Sequence, residues 1–358
     1  MASVSELLFS SRLVVCVGTG GVGKTTTSAA LALRAARHGR RVLVLTIDPA
    51  RRLANAMGLA SLGNTPQAVD LGAGASGSLH AMMLDAKQTF DDLIRRTAGS
   101  EAGAILGNRI YQLMSERLTG TQEYMALERL FDLYQAGTWD LVVLDTPPST
   151  NALDFFDAPR RTAQMFDESV MRWFLPEVRT ADSSLWQRVF NPGAVVLKLL
   201  AVVGGDAFIA ELSQFFEAMR IVRASFQERG HRVQEILRAR DTHYVLVASP
   251  DARRVDEAMG LHDRLREMGK SVSACVLNRA HTEFFTEDLA LMPESLDPET
   301  ALLRELYARV VCLAERERAG VARLQQVARH ASVVVVPAFT APVVALAQLD
   351  RLGEALSQ

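Results

Sequence analysis

The chain has 358 residues, of which 49% are hydrophobic and 22% are charged, as expected for a folded protein with one large domain or two. The formal net charge at pH 7 is −2, so the sequence lacks the overall basic charge of a nucleic-acid-binding protein, and no nucleic acid partner is expected. The three cysteines, Cys16, Cys275 and Cys312, form no Cys-x-x-Cys pair and are predicted to be small buried side chains in a reducing cytoplasm.

The sequence also lacks the features of an exported or membrane-spanning protein. No basic region followed by a long apolar core stands at the N-terminus, so no signal peptide is expected. The most apolar run, residues 193–205, contains Lys198 and has 13 residues, which is too short to cross a bilayer. We therefore expect a cytoplasmic protein without a transmembrane segment.

The first predicted elements are a strand over 12–18 and a helix over 27–37, joined by a glycine-rich loop. Residues 18–26 read Gly-Thr-Gly-Gly-Val-Gly-Lys-Thr-Thr, which fits the phosphate-binding pattern of Gly, four residues, Gly-Lys-Ser/Thr. Such a loop turns backbone N–H groups toward a polyphosphate, and the following helix presents its positive N-terminal end to the same charge. Lys24 is then expected to reach the β and γ phosphates, and Thr25 to place its hydroxyl on Mg2+.

A dinucleotide site is the alternative interpretation of this loop. Its glycines also satisfy the pattern Gly-x-Gly-x-x-Gly, and Asp48 ends the next strand, where a ribose-binding acid is expected. That alternative leaves Lys24 and Thr25 unexplained. It also leaves unexplained Asp145, which ends another buried strand, as the Mg2+-binding acid of a nucleoside triphosphatase does. The residues therefore favour a nucleoside triphosphate.

The second strand is a continuous apolar run over 40–48, as in a buried parallel sheet. Pro49 forces a turn after it, so Asp48 is expected at the carboxyl end of the strand, where open α/β sheets bind ligands. The next predicted elements are a loop over 58–77, a strand over 79–85, helices over 86–97 and 122–135, and a strand over 140–146 that ends in Asp145 and Thr146.

The middle block, residues 149–241, contains no comparable strand pattern. Large apolar side chains recur there at intervals of three and four, which predicts one stripe of a long amphipathic helix. This stripe is either core or a surface for an apolar client. Its members are Phe208, Leu212, Phe215, Met219, Val222, Phe226 and Val233.

The α/β alternation then resumes. The predicted elements are strands over 243–249, 271–278 and 332–337, helices over 251–268, 299–330 and 343–356, and a polar loop over 280–298. Together these patterns predict an α/β fold with a mostly parallel sheet flanked by helices. The expected organisation is an ATPase core in two parts, 1–150 and 241–358, with a helical insertion subdomain over 151–240.

With these motifs in this order, the chain resembles the arsenite-efflux and tail-anchored-protein-targeting ATPase family, within the deviant Walker A class of phosphate-loop ATPases. It is most similar to the actinobacterial-type branch. The resemblance covers essentially the whole length and implies ATP and Mg2+ as cofactors. The motifs that carry it are residues 18–26, Asp48-Pro49-Ala50, Asp145-Thr146-Pro147-Pro148, Pro250, Asn278-Arg279 and Pro337-Ala338-Phe339.

The resemblance implies a role for each matching residue. Asp48 orients or activates the attacking water, Lys24 stabilises the transferring phosphoryl group, and Asp145 lies near Mg2+ and the γ-phosphate. Each acid could instead serve only as a turn former or helix cap. The implied metal ligands are Thr25, Asp48 and Asp145. The implied nucleotide contacts are Gly20, Gly21, Val22, Gly23, Lys24, Thr25 and Thr26 in the loop, with Asn278, Arg279, Pro337 and Phe339 around the adenine.

Three departures from the family pattern bear on function. Thr19 stands where the family has a lysine that reaches the partner subunit's phosphates, so either Arg51 or Arg52 substitutes or a paralogous subunit supplies the cation. Pro147 stands where the targeting ATPases usually have alanine, which would stiffen that turn. The cysteine pairs that bind zinc or arsenite in relatives have no counterpart, which disfavours arsenite transport.

The sequence thus predicts a Mg2+-dependent ATPase whose nucleotide state changes the arrangement of two subunits, either a homodimer or a heterodimer with a paralogue. Three roles remain open at this point. One is a chaperone or targeting factor for a hydrophobic client helix, and another is a regulatory half of a heteromeric ATPase. The third is the ATPase subunit of an anion pump.

Overall fold

The computed structural model describes residues 3–48, 52–72, 75–117, 121–147, 155–158, 192–281, 298–343 and 345–357. Several sequence landmarks lie outside these ranges, namely Pro49, Ala50, Arg51, Pro148 and most of the polar loop over 280–298. The Met219 side chain and those of the apolar run 193–205 are also outside the described part, although their backbone is helical.

A sheet of eight strands forms the centre of the fold. In chain order the strands are β1 (Leu13–Gly18), β2 (Arg41–Thr46), β3 (Gln67–Val69), β4 (Ser78–Met83), β5 (Leu141–Asp145), β6 (Thr242–Ala248), β7 (Val272–Ala280) and β8 (Ser332–Pro337). Their spatial order is β3-β4-β2-β5-β1-β6-β7-β8, and every pair is parallel except β3 with β4. The mostly parallel α/β sheet expected from the sequence is confirmed.

The helices are α1 (Val4–Ser10), α2 (Lys24–Arg37), α3 (Arg52–Ala56), α4 (Ala86–Ala98), α5 (Ala102–Gly107), α6 (Arg109–Arg117), α7 (Thr121–Gln135), α8 (Pro192–Ile236), α9 (Ala252–Glu267), α10 (Pro298–Val327) and α11 (Leu346–Ala355). A short 3-10 turn over Gly99–Glu101 joins α4 to α5. None of the helices in the described ranges is both long enough and apolar enough to cross a membrane.

The chain divides into two compact units, and the first holds the sheet. This unit comprises residues 1–84, 133–153 and 237–358. All six residues of β1 are buried, as the central strand of a parallel sheet requires. Helix α2 packs closely against α11 at Gly353, which has no side chain. A Cβ added to Gly353 would lie 3.3 Å from the Ala30 carbonyl oxygen of α2. The helix that follows the glycine-rich loop is therefore firmly embedded.

The second unit comprises residues 85–132 and 154–236 and is helical in its described part. The long helix predicted from the apolar stripe is confirmed as α8, and Phe215, Val222, Phe226 and Val233 are buried. The Phe226 ring stacks on that of Tyr124, with centroids 5.4 Å apart and planes inclined by 12°. These members of the stripe therefore form core within this unit.

A charged cluster lies beside that aromatic core. Arg229 of α8 forms ion pairs with Glu128 and Asp132 of α7, and Arg96 of α4 also pairs with Asp132 at 2.7 Å. Glu128 is fully buried, and burial raises the pKa of its carboxyl group despite the neighbouring Arg229. The cluster ties three helices of this unit together.

Some elements differ from the sequence expectation. The segment 58–77 contains the edge strand β3, which is only three residues long and therefore too short to show an alternating pattern. Short helices α1, α3, α5 and α6 also went unpredicted, since five to nine residues carry little helical periodicity. Cys312 is exposed on α10, so its predicted burial is wrong, whereas Cys16 and Cys275 are buried as predicted.

Candidate functional site

The glycine-rich loop joins β1 to α2 at the carboxyl edge of the sheet. The helix begins at Lys24, three residues earlier than predicted, because Gly23 adopts a left-handed conformation with φ of 97° and starts the helix directly after the loop. Glycine has no side chain to cap this end, so the N–H groups of the first turn remain available to an anion. Residues 20–26 form this loop and the first turn of α2, which includes Thr26.

Lys24 is held inside this loop. Its side chain is buried, and Nζ donates a hydrogen bond of 2.8 Å to the Thr19 carbonyl oxygen. Burial lowers the pKa of Lys24, while the negative charges of Asp145 and Asp48 oppose that change. The cation therefore lies near both predicted acids, in a position where an anionic phosphate would offset its burial.

Asp145 is the most strongly perturbed acid of the site. Its Oδ2 atom accepts hydrogen bonds from the Thr25 hydroxyl at 2.7 Å and the Thr46 hydroxyl at 2.9 Å. Its Oδ1 atom is buried and has no hydrogen-bond partner within the described ranges. Burial raises the pKa of this carboxyl group to about 6, although both hydroxyl groups lower it. A cation at Oδ1 would satisfy the remaining oxygen.

Thr46 connects Asp145 to Asp48, and sequence reasoning missed it. Strands β2 and β5 are paired so that Thr46 lies opposite Asp145. The Thr46 hydroxyl donates to Asp145 and accepts a bond of 3.2 Å from the Asp48 backbone N–H. The sequence shows that Thr46 is a polar residue at the end of an apolar strand. Its contact with Asp145, however, depends on the pairing of β2 with β5. Asp48 itself is half-buried in the turn after β2.

The predicted base-binding residues lie at the ends of β7 and β8. Asn278 is buried, and its Nδ2 donates a hydrogen bond of 2.9 Å to the Val22 carbonyl oxygen of the loop. Arg279 is exposed, and its Nη1 lies 3.5 Å from the Gly21 carbonyl oxygen. Thus the structure brings Asn278 and Arg279 to the phosphate-binding loop itself.

Pro337 and Phe339 come from the neighbouring strand. Pro337 ends β8 opposite Ala280, and the Ala338 N–H donates to the Ala280 carbonyl oxygen at 2.8 Å. Phe339 follows with 39% of its surface exposed, as a residue able to stack on a planar base. The three segments that carry the predicted nucleotide contacts therefore meet at one edge of the sheet.

Comparison with known proteins decides the class of this site. A family profile described as anion-transporting ATPase matches residues 11–332. The chain belongs to the anion-transporting ATPase family. It is therefore an ATP-binding, ATP-hydrolysing enzyme, and the dinucleotide alternative is set aside.

Individual relatives of this ATPase carry two kinds of names. A putative arsenical pump-driving ATPase 1 from Aquifex aeolicus is 23% identical over 343 residues, covering 89% of this chain and 78% of the relative. An ATPase GET3 from Podospora anserina is 27% identical over 244 residues, covering 68% of this chain and 65% of the relative. An ATPase GET3 from Phaeosphaeria nodorum is 29% identical over 275 residues, covering 75% and 76%.

Thr19 of this ATPase points into the protein. Only 2% of the residue is exposed, and its Oγ1 atom is buried without a hydrogen-bond partner among the residues described. Its backbone carbonyl, rather than its side chain, contributes to the site by accepting from Lys24. Of the two basic residues suggested as substitutes, Arg52 is exposed at the start of α3, and Arg51 lies outside the described residues.

Proposed function

We propose that this ATPase is a Mg2+-dependent nucleotide switch, in which the group formed by Thr25, Thr46 and Asp145 binds the metal and positions Asp48. The observation that carries the proposal is the Asp145 carboxylate. One oxygen is fixed by two hydroxyl groups, while the other is buried without a partner near Lys24 in the described part of the chain. Such an arrangement costs stability unless a cation binds there.

The residues present fit Mg2+. Magnesium prefers oxygen ligands, and the Thr25 hydroxyl and the Asp145 carboxylate provide them within one hydrogen-bonded group. The negative charge of Asp48 contributes to the raised pKa of Asp145, which supports assigning both carboxylates to the same metal. When bound, the metal would neutralise phosphate charge; the chain's own contribution is to hold these oxygens at the loop.

The loop and Lys24 would then stabilise the transferring phosphoryl group. Backbone N–H groups at the start of α2 have no side-chain cap, and the Lys24 ammonium is held at the same loop, so both would stabilise charge that develops on the phosphate oxygens. Asp48, whose backbone is held by Thr46, would orient the attacking water. This division of roles is typical of phosphoryl transfer, where positioning and electrostatics supply most of the rate.

For the base, we propose that Asn278, Arg279, Pro337 and Phe339 form an adenine pocket. One N–H of the Asn278 amide is engaged by Val22, and an amide has a second N–H and a carbonyl oxygen to offer to a base edge. Phe339 supplies an exposed ring, and Pro337 fixes the backbone before it.

For the cellular role, we propose a composite ATPase in which a second subunit completes the site. Burial of Thr19 supports this, because its side chain cannot reach another subunit's nucleotide. In such a composite site the second subunit supplies a cation to the phosphates, and a cation of this type typically contributes a factor of about 1,000 or more to the rate of hydrolysis. A homodimer in which Arg51 or Arg52 supplies the charge is the alternative.

The other two roles have less support in this chain. Four described members of the apolar stripe on α8 are buried, so a client helix would have to bind elsewhere or displace them. The described residues contain no group of three or more His, Cys, Asp or Glu side chains that could hold a metal ion, and the buried thiols of Cys16 and Cys275 lie on separate strands that do not pair with each other. Soft metalloids require clustered thiols, so an arsenite pump is disfavoured.

The test is ATP hydrolysis by the purified chain, with Lys24→Ala as the inactive control and with the oligomeric state recorded in ATP and in ADP. Turnover by the wild type that depends on Lys24 and Mg2+ would support the homomeric site. ATP binding with negligible turnover, restored by a lysine-bearing paralogue, would support the composite site. Absence of ATP binding by the wild type would refute the proposal.

A further inference from the structure

We propose that Asn278 and Arg279 act as positioning residues for the phosphate-binding loop, holding two successive carbonyl groups so that the N–H group of each following residue faces the phosphate. We call this pair the β7 brace. The proposal rests on the proposed function, since the loop geometry matters only if the loop binds a polyphosphate. It adds a role that is separate from recognition of the base.

The first observation is a β-bulge at the end of β7. Strand pairing with β8 runs Asn278 with Val336 and then Ala280 with Pro337, so Arg279 is an extra residue in β7. Arg279 has φ of 65°, and it is the only non-glycine residue with a positive φ in the part of the chain that the structure describes. Such a conformation is unfavourable for an arginine and persists where the surroundings require it.

The bulge explains how two adjacent side chains reach one loop. Successive residues of a regular strand point to opposite faces of the sheet, so Asn278 and Arg279 could not both face the loop from an unbroken β7. A bulge re-aims one of them. Here the Asn278 amide contacts the Val22 carbonyl at 2.9 Å, and the Arg279 guanidinium lies 3.5 Å from that of Gly21.

The β7 brace also packs directly against the phosphate-binding loop. A Cβ added to Gly23 would lie 2.3 Å from the Asn278 Nδ2 atom, so the amide fits against this position only because it is glycine. Asn278 is also 6% exposed, which fixes its side chain against the loop rather than toward solvent. The contact is therefore built into the packing of the site.

The consequence follows from the planar trans peptide bond. The carbonyl of one residue and the N–H of the next point in opposite directions. Holding the Val22 carbonyl toward β7 therefore directs the Gly23 N–H away from β7, and holding the Gly21 carbonyl does the same for the Val22 N–H. These two N–H groups belong to the loop that the phosphates are expected to occupy, so the brace prepares the loop before the ligand arrives.

The test compares binding of ATP, GTP and inorganic tripolyphosphate, measured by calorimetry with Mg2+. Asn278→Leu keeps the approximate volume of the side chain but removes the donor that faces the Val22 carbonyl, without adding a charge near the phosphates. We expect the affinity for all three ligands to fall, by about tenfold or more for tripolyphosphate, because the loop loses an oriented hydrogen bond. A loss confined to ATP would overturn the proposal, since Asn278 would then act only on the base.

Arg279→Gly is the matched variant, because glycine accepts a φ of 65° and the change removes the side chain without straining the backbone. We expect a smaller loss for all three ligands, since its contact is longer. Hydrogen exchange of the nucleotide-free protein gives a readout independent of activity: the loop amides of residues 20–24 should exchange faster in both variants. Unchanged exchange together with unchanged tripolyphosphate affinity would overturn the brace.

Ligand binding by the wild-type protein distinguishes failure of the β7 brace from failure of the proposed function. If the wild type binds none of the three ligands, the proposed function fails and the brace fails with it. If the wild type binds them and both variants bind tripolyphosphate as the wild type does, the brace alone fails. If Asn278→Leu does not fold, Arg279→Gly decides the question.

Discussion

Replacing Asp145 by asparagine should stabilise the protein in the absence of nucleotide and Mg2+, although the same change should abolish Mg2+-dependent hydrolysis. Asp145 is 1% exposed, and burial raises its pKa from 3.8 to about 6. At neutral pH the native state must therefore hold a charge that the fold disfavours. Asparagine has nearly the same shape and carries no charge.

The magnitude follows from the difference in pKa between the native and unfolded chains. A rise from 3.8 to about 6 corresponds to about 3 kcal/mol, at about 1.4 kcal/mol for each pKa unit. Because the native state binds the proton more tightly, this contribution to stability is fully present below pH 3.8 and is lost as pH rises through about 6. An unpaired amide at the Oδ1 position would offset the gain by about 1 kcal/mol or more.

The assay is urea unfolding of wild type and Asp145→Asn at several pH values from about 4 to about 8, in the presence of a chelator. The two proteins should differ little at the acidic end and diverge as pH rises through about 6, with the variant more stable. Asp140→Asn is the control of opposite sign, because Arg41 lowers the pKa of Asp140 by hydrogen bonding. Wild-type and Asp145→Asn stability curves that stay parallel across this range would refute the reasoning.

Three further changes test other parts of the structure. Thr46→Val removes the hydroxyl that joins Asp145 to Asp48, so the steady-state rate of ATP hydrolysis should fall by about tenfold or more. Gly18→Ala places a Cβ 2.1 Å from the Val247 carbonyl oxygen, so the free energy of unfolding should fall by about 2 kcal/mol or more in urea titrations. Phe226→Ala removes a buried ring from the second unit and should cost about 3 to 5 kcal/mol in the same assay.

Each of these changes has a control. Thr46→Ser keeps the hydroxyl and should restore most of the activity; equal losses in both variants would contradict a role for that group. Gly107→Ala places a Cβ where nothing lies within 4 Å and should leave stability nearly unchanged, unlike Gly18→Ala. Phe226→Leu keeps most of the apolar volume, so a loss as large as that of alanine would contradict simple packing.

The inner strands of the sheet could be predicted because they are buried on both faces. Continuous apolar runs such as Leu13–Gly18 and Leu141–Asp145 are typical of the inner strands of a parallel sheet, and the glycine-rich loop marks where the first run ends. The edge strand β3 could not be predicted in the same way. It exists through pairing with β4, and no pattern within Gln67–Val69 indicates that partner.

The candidate site likewise contains residues that could be predicted from the sequence and contacts that could not. Lys24, Thr25 and Asp145 could be predicted, because a contiguous motif and an acid at a strand end are local features of the sequence. The contacts of Thr46 and Asn278 could not, since they depend on which strands pair and how far each one extends. Residues 85–132 were expected to belong to the first part of the ATPase core, but they pack in the helical unit. No change of composition marks the boundary between residues 84 and 85.

The burial of Thr19 bears on what a lysine at that position would do in this chain. The Thr19 hydroxyl lies in a buried position without a hydrogen-bond partner in the described structure, and an ammonium group there would be strongly unfavourable. The Thr19 backbone must also stay in place, because its carbonyl accepts from Lys24. A lysine in Thr19→Lys would therefore have to leave the interior and extend to solvent, which is the direction that a trans-acting cation requires. Gain of turnover in that variant, accompanied by dimerisation in ATP, would mean that the chain retains the rest of the composite site; dimerisation without turnover would mean that the second subunit contributes more than one charge.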